Sequence, residues 1–392
     1  MSVTGVIAEF DPFHGGHLHL ISEVRRLVPG TDVVCAMSGS FTQRGAPSCA
    51  DKLARARAAA ENGADLVLEL PVARALAPAP LFAAGGVEAL SASGVVTHLA
   101  FGSECGDGAL LERAAKESAE EGFSERLKAL MACGKSYAAA AAEVCSPESA
   151  AVLGNPNDLL AAEYIRAAEK MKSGFEFVPV KRVGAAHGSD ELSEYPSASH
   201  VRKLLAEGRE IGGLPLPENV KNILKEEASS GRFPLDSAKL DAAVLAVIRR
   251  MSREDLEKIP DGGEGLGNRI YAAAAWAKTV NELCFAAKCR RYTLARVRRA
   301  VWQAFIGVTR GDQRRGISHL RVLAVGKNGR ELLRRMEKTA SVPVVTKPAA
   351  LNSLGEECRA AAELEARADS LRSLGLSARD DYFRRSPFVL KP

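Results

Sequence analysis

The stretch that decides the fold is residues 3–17, which read VTGVIAEFDPFHGGH. Val3–Ala8 is a short apolar run typical of a buried strand, and Pro12 and two glycines then turn the chain. His14 and His17 are three residues apart, so they project to one side of the first turn of the following helix. Helix N-termini favour anions, and imidazoles can donate hydrogen bonds to phosphoryl oxygens in a transition state. The pattern indicates a phosphate site; a glycine turn with two surface histidines is the simpler alternative.

Apolar runs alternate with helical patterns throughout the first half of the chain. Uninterrupted apolar strands separated by helices favour a parallel sheet covered on both faces, a Rossmann-like α/β fold. Ligands of such sheets bind beyond the carboxyl ends of the strands, so functional residues are expected there. We predict strands at 3–8, 32–37, 65–70, 97–101 and 177–180, and helices at 17–27, 52–62 and 81–93.

A second candidate phosphate site follows the fifth predicted strand, in the segment PSASHVR at residues 196–202. Pro196 and Ser197 are typical of a helix start, with Ser197 or Ser199 as the cap. The hydroxyls and the Arg202 guanidinium suit the β- and γ-phosphates of a nucleotide, because arginine binds phosphate as a fork. An ordinary capped helix with a surface arginine is the alternative.

Strand signals largely disappear after residue 207, where glycines and prolines cluster between residues 208 and 217. A chain of 392 residues is too long for one ordinary core, so we place a domain boundary there. Residues 1–207 form the α/β domain in this interpretation, and residues 208–392 form a mostly helical one. Helical patterns occur at 219–230, 236–250, 268–284 and 293–307, and apolar runs at 320–325 and 342–345.

The two halves carry opposite net charge. Residues 1–207 hold 19 Lys and Arg against 26 Asp and Glu, a net of −7, and residues 208–392 hold 34 against 22, a net of +12. Such asymmetry favours contact between the second half and a polyanion such as RNA, although a solvated helix face is the alternative. Tyr292 and Trp302 are candidate stacking surfaces, but the apolar neighbours of Trp302 favour a core position. The candidate RNA-binding residues are Lys288, Arg290, Arg291, Arg296, Arg298, Arg299, Arg314 and Arg315.

Cysteine spacing and hydropathy indicate a cytoplasmic protein. The eight cysteines show no paired spacing, so neither a zinc site nor a disulfide framework is expected and no metal-binding side chain is predicted. No apolar run approaches the ~20 residues that cross a bilayer, so no membrane contact is expected. The N-terminus lacks the pattern of a signal peptide.

In their order along the chain, these motifs resemble a known family. The HxGH motif and the later Ser-x-Ser-x-x-Arg segment are paired in the nucleotidyltransferase superfamily that includes the pantetheine-phosphate and nicotinamide-nucleotide adenylyltransferases. Further segments narrow the resemblance to the tRNA(Met) cytidine acetate ligase family over nearly the whole chain. Asp11 and Gly15 depart from the family pattern, in which we expect Asn at both positions. The further segments are MSGSFTQRGAP (37–47), Lys52 with Arg55, GADLVLELP (63–71), FGSE (101–104), PND (156–158), RVG (182–184), EGLGNR (264–269), RYT (291–293) and RVL (321–323).

The resemblance implies an ATP-dependent ligase. Such an enzyme forms acetyl-adenylate from acetate and ATP, and transfers the acetyl group to N4 of the wobble cytidine of elongator tRNA(Met), giving N4-acetylcytidine. Acetate is ionised at neutral pH, so it needs positioning and charge neutralisation rather than a general base. Mg²⁺ is expected with ATP, without an assigned protein ligand. Neither a protein partner nor an oligomeric state is implied.

Site residues follow in part from this resemblance. The catalytic candidates are His14, His17, Lys52 and Arg202. The ATP-binding candidates are Ile7, Ala8, Glu9, Phe10, Gly16, His17, Leu20, Gly102, Asn157 and Arg182, with Ser197 and Ser199 at the phosphates. Without the family, Gly102 would be a strand-end turn, Asn157 a helix cap and Arg182 a surface charge. Glu9, Asp11 and Glu104 are candidates for accepting the proton of the cytidine amine.

Two other functions are compatible with parts of this pattern. A small-molecule adenylyltransferase would use the same phosphate site, but it has no need of 185 further residues that carry a net of +12. A non-catalytic nucleotide-binding RNA adaptor would not need donors for a transition state.

Overall fold

The structure is a computed structural model that describes residues 2–135, 137–183, 197–378 and 385–391. Gly184 and Pro196, which belong to two of the predicted segments, lie outside the described residues. The strands are Val3–Ala8 (β1), Asp32–Ser38 (β2), Phe41–Thr42 (β3), Ala46–Pro47 (β4), Leu66–Leu70 (β5), His98–Ser103 (β6), Glu176–Lys181 (β7), Leu320–Val325 (β8), Val344–Val345 (β9) and Phe388–Val389 (β10).

Helices connect these strands and make up most of the second half. Short 3-10 turns occur at Ile211–Gly213, Ser237–Leu240 and Pro348–Ser353. The α-helices are Gly15–Leu27 (α1), Lys52–Glu61 (α2), Val72–Ala75 (α3), Ala79–Ala92 (α4), Gly108–Ala119 (α5), Phe123–Ala132 (α6), Tyr137–Val144 (α7), Pro147–Gly154 (α8), Pro156–Met171 (α9), Ala198–Ala206 (α10), Glu218–Ser229 (α11), Asp241–Arg250 (α12), Arg253–Lys258 (α13), Leu266–Ala274 (α14), Val280–Ala287 (α15), Leu294–Ile306 (α16), Arg310–Arg314 (α17), Gly329–Thr339 (α18) and Glu356–Ser373 (α19).

The main sheet has the strand order β10-β8-β5-β2-β1-β6-β7, and β9 also pairs with β8. The five strands predicted in the first half are all present and run parallel in the order β5-β2-β1-β6-β7. The chain moves outward from β1 to β2 and β5, and then crosses to β6 and β7 on the other side. This reversal leaves a crevice at the carboxyl ends of β1 and β6, where ligands of such sheets bind. The predicted Rossmann-like α/β fold is confirmed.

Alternating side chains of the strands pack into two cores, one on each face of the sheet. In β1, Val3 and Ile7 pack with helices α4, α5 and α9, whereas Val6 packs with α1, α2 and α11. This alternation follows from the two-residue repeat of a strand. A third core holds α12, α14, α15 and α16 together, and it includes Tyr292 and Trp302, each 4% exposed.

The second half is mostly helical, as predicted, but it also extends the sheet. Strand β8 pairs antiparallel with β5 and parallel with β9 and β10. The sheet therefore contains backbone from both sides of residue 207. The division of the chain into two domains at that residue stays a prediction.

One predicted helix is wrong. The pattern at 268–284 forms two helices, α14 and α15, because Thr279 begins a new one. The Thr279 hydroxyl accepts a hydrogen bond from the N–H of Glu282 at 3.1 Å, and the Glu282 carboxylate accepts one from the N–H of Lys278 at 2.8 Å. These caps stabilise a helix N-terminus in the middle of an apolar pattern.

A buried ion-pair cluster joins the last long helix to the sheet. The ammonium of Lys52, in α2, lies 2.5 Å from Oε1 of Glu69 in β5 and 2.6 Å from Oδ2 of Asp369 in α19. Arg321 of β8 contacts the other Glu69 oxygen at 3.3 Å, and the Ser40 hydroxyl donates to Asp369 at 2.6 Å. The side chain of Lys52 is fully buried. Its charge is therefore used in holding α2, β5 and α19 together.

No helix among the described residues is long and apolar enough to cross a membrane. All eight cysteines are described, and each of them is a free thiol.

Replacing Lys52 with Met should lower the free energy of unfolding by about 3–5 kcal/mol, because two buried carboxylates lose their shared counter-charge. Denaturant unfolding followed by circular dichroism measures this loss. The matched control is Lys128→Met on the exposed surface of α6, which should change stability by less than about 0.5 kcal/mol. A Lys52→Met variant of normal stability would contradict the structural role of this ammonium.

Candidate active site

A cavity of about 400 Å³ opens at the carboxyl ends of β1 and β6. Its walls come from the β1–α1 turn, the end of β6, the start of α9, the end of β7 and the start of α10. Every residue predicted to bind ATP lines this cavity, as do two further residues predicted to be catalytic. These lining residues are Ile7, Ala8, Glu9, Phe10, His14, Gly16, His17, Leu20, Gly102, Asn157, Arg182, Ser197, Ser199 and Arg202.

The turn between β1 and α1, which carries the two histidines, has an unusual backbone. Phe10 has a positive φ of 48°, and the Asp11–Pro12 peptide bond is cis. Burial holds this conformation in place, because Phe10 and Phe13 are both fully buried and their rings lie 5.1 Å apart. The ring of His17 packs edge-on against Phe10 at 4.9 Å.

The two histidines cap their own helix, and this fixes their tautomers. The N–H of Gly16 donates to Nδ1 of His14 at 3.1 Å, and the N–H of His14 donates to Nδ1 of His17 at 3.2 Å. A backbone N–H can only donate, so both Nδ1 atoms are unprotonated and the neutral rings carry their proton on Nε2. The rings stack with centroids 3.7 Å apart. The pair therefore presents two N–H donors side by side.

Burial and neighbouring cations keep both rings neutral. Burial lowers the pKa of His14 to about 3, and the positive charges of Arg182 and Arg202 act in the same direction. Burial also lowers the pKa of His17 well below its usual value, with His14 and Arg182 as further causes. Neutral imidazoles can still donate through Nε2–H, so the pair can bind an anion without carrying charge itself.

Helix α10 places a second N-terminus at the cavity. Ser197 is its cap, and its hydroxyl accepts a hydrogen bond from the N–H of His200 at 3.2 Å. The hydroxyl of Ser199 lies 2.9 Å from that of Ser197. Arg202 donates to the Asp11 carbonyl at 2.5 Å, which joins α10 to the histidine turn. The N-termini of α1 and α10 thus border one cavity, where both favour anions.

Helix α9 forms a third side of the cavity, and a carboxylate organises its start. The Asn157 amide donates to Glu104, and the N–H of Asp158 donates to the other Glu104 oxygen at 2.9 Å. Asn155, rather than Asn157, is the residue before the first helical position. Gly102 faces Arg182, whose side chain would lie 3.5 Å from an added Cβ.

Comparisons with known proteins agree with this geometry. A family model described as HIGH Nucleotidyl Transferase matches residues 1–384. The tRNA(Met) cytidine acetate ligase of Fervidobacterium nodosum is 36% identical over 371 residues, covering 92% of this chain and 87% of the relative. The enzyme of the same name from Clostridium acetobutylicum is 30% identical, covering 98% and 99%. The chain belongs to the tRNA(Met) cytidine acetate ligase family.

A solved structure of a relative extends the match to three dimensions. The crystal structure of Thermotoga maritima TmcAL bound with alpha-thio ATP matches this chain with a TM-score of 0.90. The two sequences are 30% identical, and the match covers 99% of both chains. The apo crystal structure of the same protein gives a TM-score of 0.91 at 31% identity, with full coverage of both.

In this family member, Lys52 is not where its predicted catalytic role requires it. The residue does not line the cavity, because Glu69 and Asp369 enclose its ammonium. The sequence pattern of a lysine at a helix start is the same whether the lysine faces a ligand or a buried carboxylate, so the pattern could not distinguish the two. The other catalytic candidates, His14, His17 and Arg202, do meet in the cavity, and their roles stay predictions.

Sequence reasoning missed the hairpin formed by β3 and β4. Gln43 and Arg44 lie at its tip and line the cavity. The N–H of Gln43 donates to Oε1 of Glu9 at 2.6 Å, so the hairpin holds that carboxylate in place. Both residues belong to the segment 37–47, which is one of those that resemble the family. Arg44 beside Gly45 was the sequence signal that could have indicated a loop with a phosphate-binding cation.

The basic residues predicted to bind RNA differ in exposure. Lys288, Arg290, Arg291 and Arg314 are exposed, whereas Arg299 is 6% exposed and pairs with Asp261 at 2.7 Å. Of the others, Arg296 pairs with Glu264 at 2.9 Å, Arg315 pairs with Asp312 at 3.5 Å, and Arg298 is half-buried. Placement therefore argues against an RNA-binding role for Arg299.

The three candidate carboxylates also separate. Oδ1 of Asp11 accepts from the N–H of Cys49 at 2.8 Å, and Oδ2 lies 3.7 Å from Arg202. Both oxygens of Glu104 cap α9, and Glu104 is not a lining residue. Glu9 lines the cavity, and burial raises its pKa. A raised pKa makes a carboxylate a better proton acceptor, so Glu9 is the strongest of the three candidates.

Both histidines should remain neutral from pH 5 to 8 in the ligand-free protein, with the proton on Nε2. Side-chain ¹⁵N NMR of histidine-labelled protein measures this directly, with His14→Ala and His17→Ala variants to assign the signals. Because unfolded histidines bind protons near pH 6.5, the contribution of these rings to stability falls as the pH drops below about 6.5. A protonation midpoint near 6.5 for either ring would contradict the buried donor pair.

Proposed function

We propose that this protein uses ATP to activate acetate as acetyl-adenylate, and that it acetylates N4 of the wobble cytidine of elongator tRNA(Met) in the cytoplasm. The observation that carries the proposal is the neutral histidine pair, which aims two Nε2–H donors into a cavity bordered by two helix N-termini. Family membership supports the choice of acetate and tRNA, because the matched relatives bear that name.

The lining residues suit ATP. The histidine pair, Arg182, Arg202 and the two serines of α10 supply donors for the triphosphate. Leu20, Phe82 and Leu160 add apolar surface that suits a purine ring. The Mg²⁺ that accompanies ATP would neutralise charge on the β- and γ-phosphates. The described residues contain no group of three His, Cys, Asp or Glu side chains that could hold a metal ion, so the phosphates and water would hold it.

The first reaction is a displacement at the α-phosphorus. An acetate oxygen forms a bond to phosphorus, and the bond to the bridging oxygen breaks, so pyrophosphate leaves with the electron pair. Negative charge accumulates on the phosphoryl oxygens during this step, where Nε2–H of His14 and His17 can donate. The two arginines neutralise the leaving pyrophosphate.

The second reaction transfers the acetyl group. The cytidine N4 forms a bond to the carbonyl carbon, the bond from that carbon to the phosphate oxygen breaks, and AMP leaves. The amine must lose a proton in this step. We assign Glu9 as the acceptor, because its carboxylate lines the same cavity and Gln43 fixes one oxygen, leaving the other available for the proton.

The test of the proposed function is incubation of the purified protein with ATP and labelled acetate, with and without a tRNA pool. Pyrophosphate release and acetylated nucleosides are then measured. Release that depends on acetate, and N4-acetylcytidine that forms only with tRNA, would support the ligase. Release indifferent to acetate would favour a small-molecule adenylyltransferase instead.

Replacing His17 with Ala should slow acetate-dependent pyrophosphate release about 100- to 1,000-fold, because one transition-state donor is lost. Binding of tRNA, measured by fluorescence anisotropy, should stay within about twofold. His98→Ala, at the amino-terminal end of β6, is the matched control and should leave both measurements unchanged. Equal losses of release and tRNA binding would refute this division of labour.

Replacing Glu9 with Gln should slow acetyl transfer about 100-fold or more while pyrophosphate release stays within a few-fold, because only the second step needs a proton acceptor. Single-turnover transfer from preformed acetyl-adenylate separates the two steps. The control is Glu112→Gln on the exposed surface of α5. If both half-reactions fell together, Glu9 would serve ATP binding rather than proton transfer.

A further inference from the structure

Aromatic surface for RNA lies elsewhere than the sequence pattern indicated. Tyr292 and Trp302, the aromatic residues interleaved with the basic segment, are each 4% exposed and belong to the third core. Neither can stack on a base. The exposed aromatic side chains of the described residues are instead Tyr271, Trp276 and Phe285.

Two of these three rings have free faces. Trp276 is 61% exposed and Phe285 is 58% exposed, whereas Tyr271 is 38% exposed and Arg253 lies over its ring at 4.9 Å. The other large apolar side chains exposed in the described part of the chain are aliphatic. Among the described residues, exposed aromatic rings are therefore confined to α14, α15 and the turn between them.

Helix α15 and the turn before it bring these rings directly before the basic segment. Phe285 is exposed in the last turn of α15, and the exposed Lys288 is the residue that directly follows the helix. Trp276 lies before the other end of the helix, where the N–H of Lys278 binds the carboxylate of Glu282 at 2.8 Å. The exposed positions Trp276, Phe285 and Lys288 thus follow one another along this short segment, with Glu282 as an acidic member already held by backbone.

A further cation reaches the carboxyl end of the same helix. Arg269, on α14, donates to the carbonyl of Ala287 at 2.8 Å and to that of Lys288 at 3.4 Å. The exposed Arg290 and Arg291 follow immediately. Cations beside an exposed ring form the combination that binds single-stranded nucleic acid, because the cations track phosphates while the ring stacks on a base.

We propose that Phe285 and Trp276 stack on unpaired bases of the tRNA, next to phosphates bound by Lys288, Arg290 and Arg291. The inference rests on the proposed function, which brings an unpaired loop containing the wobble cytidine to this protein. An eight-residue helix is about 12 Å long, so it could contact roughly three stacked nucleotides. The 14 basic residues against two acidic ones in 288–335 favour a polyanion over a second copy of the same basic surface.

The test measures the KM for tRNA and the anisotropy of labelled tRNA(Met) with the full chain. Phe285→Ala and Trp276→Ala should each weaken tRNA binding by about five- to 100-fold. Phe285→Trp keeps an aromatic ring and should bind tRNA like the wild type, whereas Phe285→Leu should bind as weakly as Phe285→Ala. Acetate-dependent pyrophosphate release should stay at the wild-type rate, which also shows that the variants fold. The matched control is Leu374→Ala, which removes a 53% exposed aliphatic side chain after α19 and should leave tRNA binding unchanged.

A second readout reports stacking itself. With 2-aminopurine in the anticodon loop, the wild-type protein should quench its fluorescence, and the Phe285→Ala variant should do so much less. If the wild-type protein acetylated tRNA and both alanine variants bound tRNA as tightly as the wild type, the stacking proposal would be overturned and the proposed function would stand. If the alanine variants changed the sedimentation coefficient of the protein but not its tRNA affinity, the stacking proposal would also be overturned. These rings would then form a contact between two copies of the chain. A wild-type protein that neither binds nor acetylates tRNA would refute the proposed function as well.

Discussion

The active-site geometry depends on one buried guanidinium. Arg55, which is 2% exposed, donates to the carbonyls of Glu9 at 2.6 Å, Ser38 at 3.0 Å and Ala50 at 3.1 Å, and also to that of Gly39. It therefore joins the ends of β1 and β2 to the segment before α2. A buried charge without such partners costs several kcal/mol. The loops must therefore adopt the arrangement in which their carbonyls accept hydrogen bonds from Arg55. One of these carbonyls is that of Glu9, where the turn with the two histidines begins.

A second constraint connects this arrangement to the basic helix α16. Gly45, with φ of 74°, sits so close to α16 that an added Cβ would lie 2.5 Å from the backbone nitrogen of Arg299. The Arg299 side chain, paired with Asp261, also reaches the carbonyl of Gln43 at 3.4 Å. The N–H of the same Gln43 holds Glu9. The hairpin thus contacts the catalytic cavity with one side and the basic half of the chain with the other.

In the first half of the chain, the sequence predicts well the elements that depend on local periodicity. Strand β1 begins and ends where its apolar run does, and the pattern of a helix start predicts a cap at Ser197 or Ser199, of which the structure has Ser197. The clustering of His14, His17 and Arg202 follows from the carboxyl-end rule for parallel sheets. The placement of Lys52 depends instead on Asp369, more than 300 residues away. Long-range pairing of this kind leaves no periodic signal.

The same limit explains the misplacement of Arg299 in the second half. The number of basic residues in the segment predicts an RNA-binding role for all of them. The side chain of Arg299 instead points inward and pairs with Asp261, which precedes it by 38 residues. Composition therefore predicted a polyanion surface without showing which cations and rings compose it. The break at Thr279 has a local cause instead, because caps by Thr279 and Glu282 begin a new helix, and it leaves Trp276 before that new N-terminus.

Neutral histidines suit a cavity for the two proposed reactions in sequence. A protonated pair would attract pyrophosphate and acetyl-adenylate strongly, and it would also hold the AMP that the second step must release. Donors without charge strengthen their hydrogen bonds as charge develops on phosphorus and relax when the charge leaves, so they favour the transition state over the bound anions. Fixed positive charge is supplied instead by Arg182 and Arg202, which also keep the histidines from binding a proton. The low pKa of the pair and its proposed role thus have one cause, the burial of two imidazoles beside two arginines.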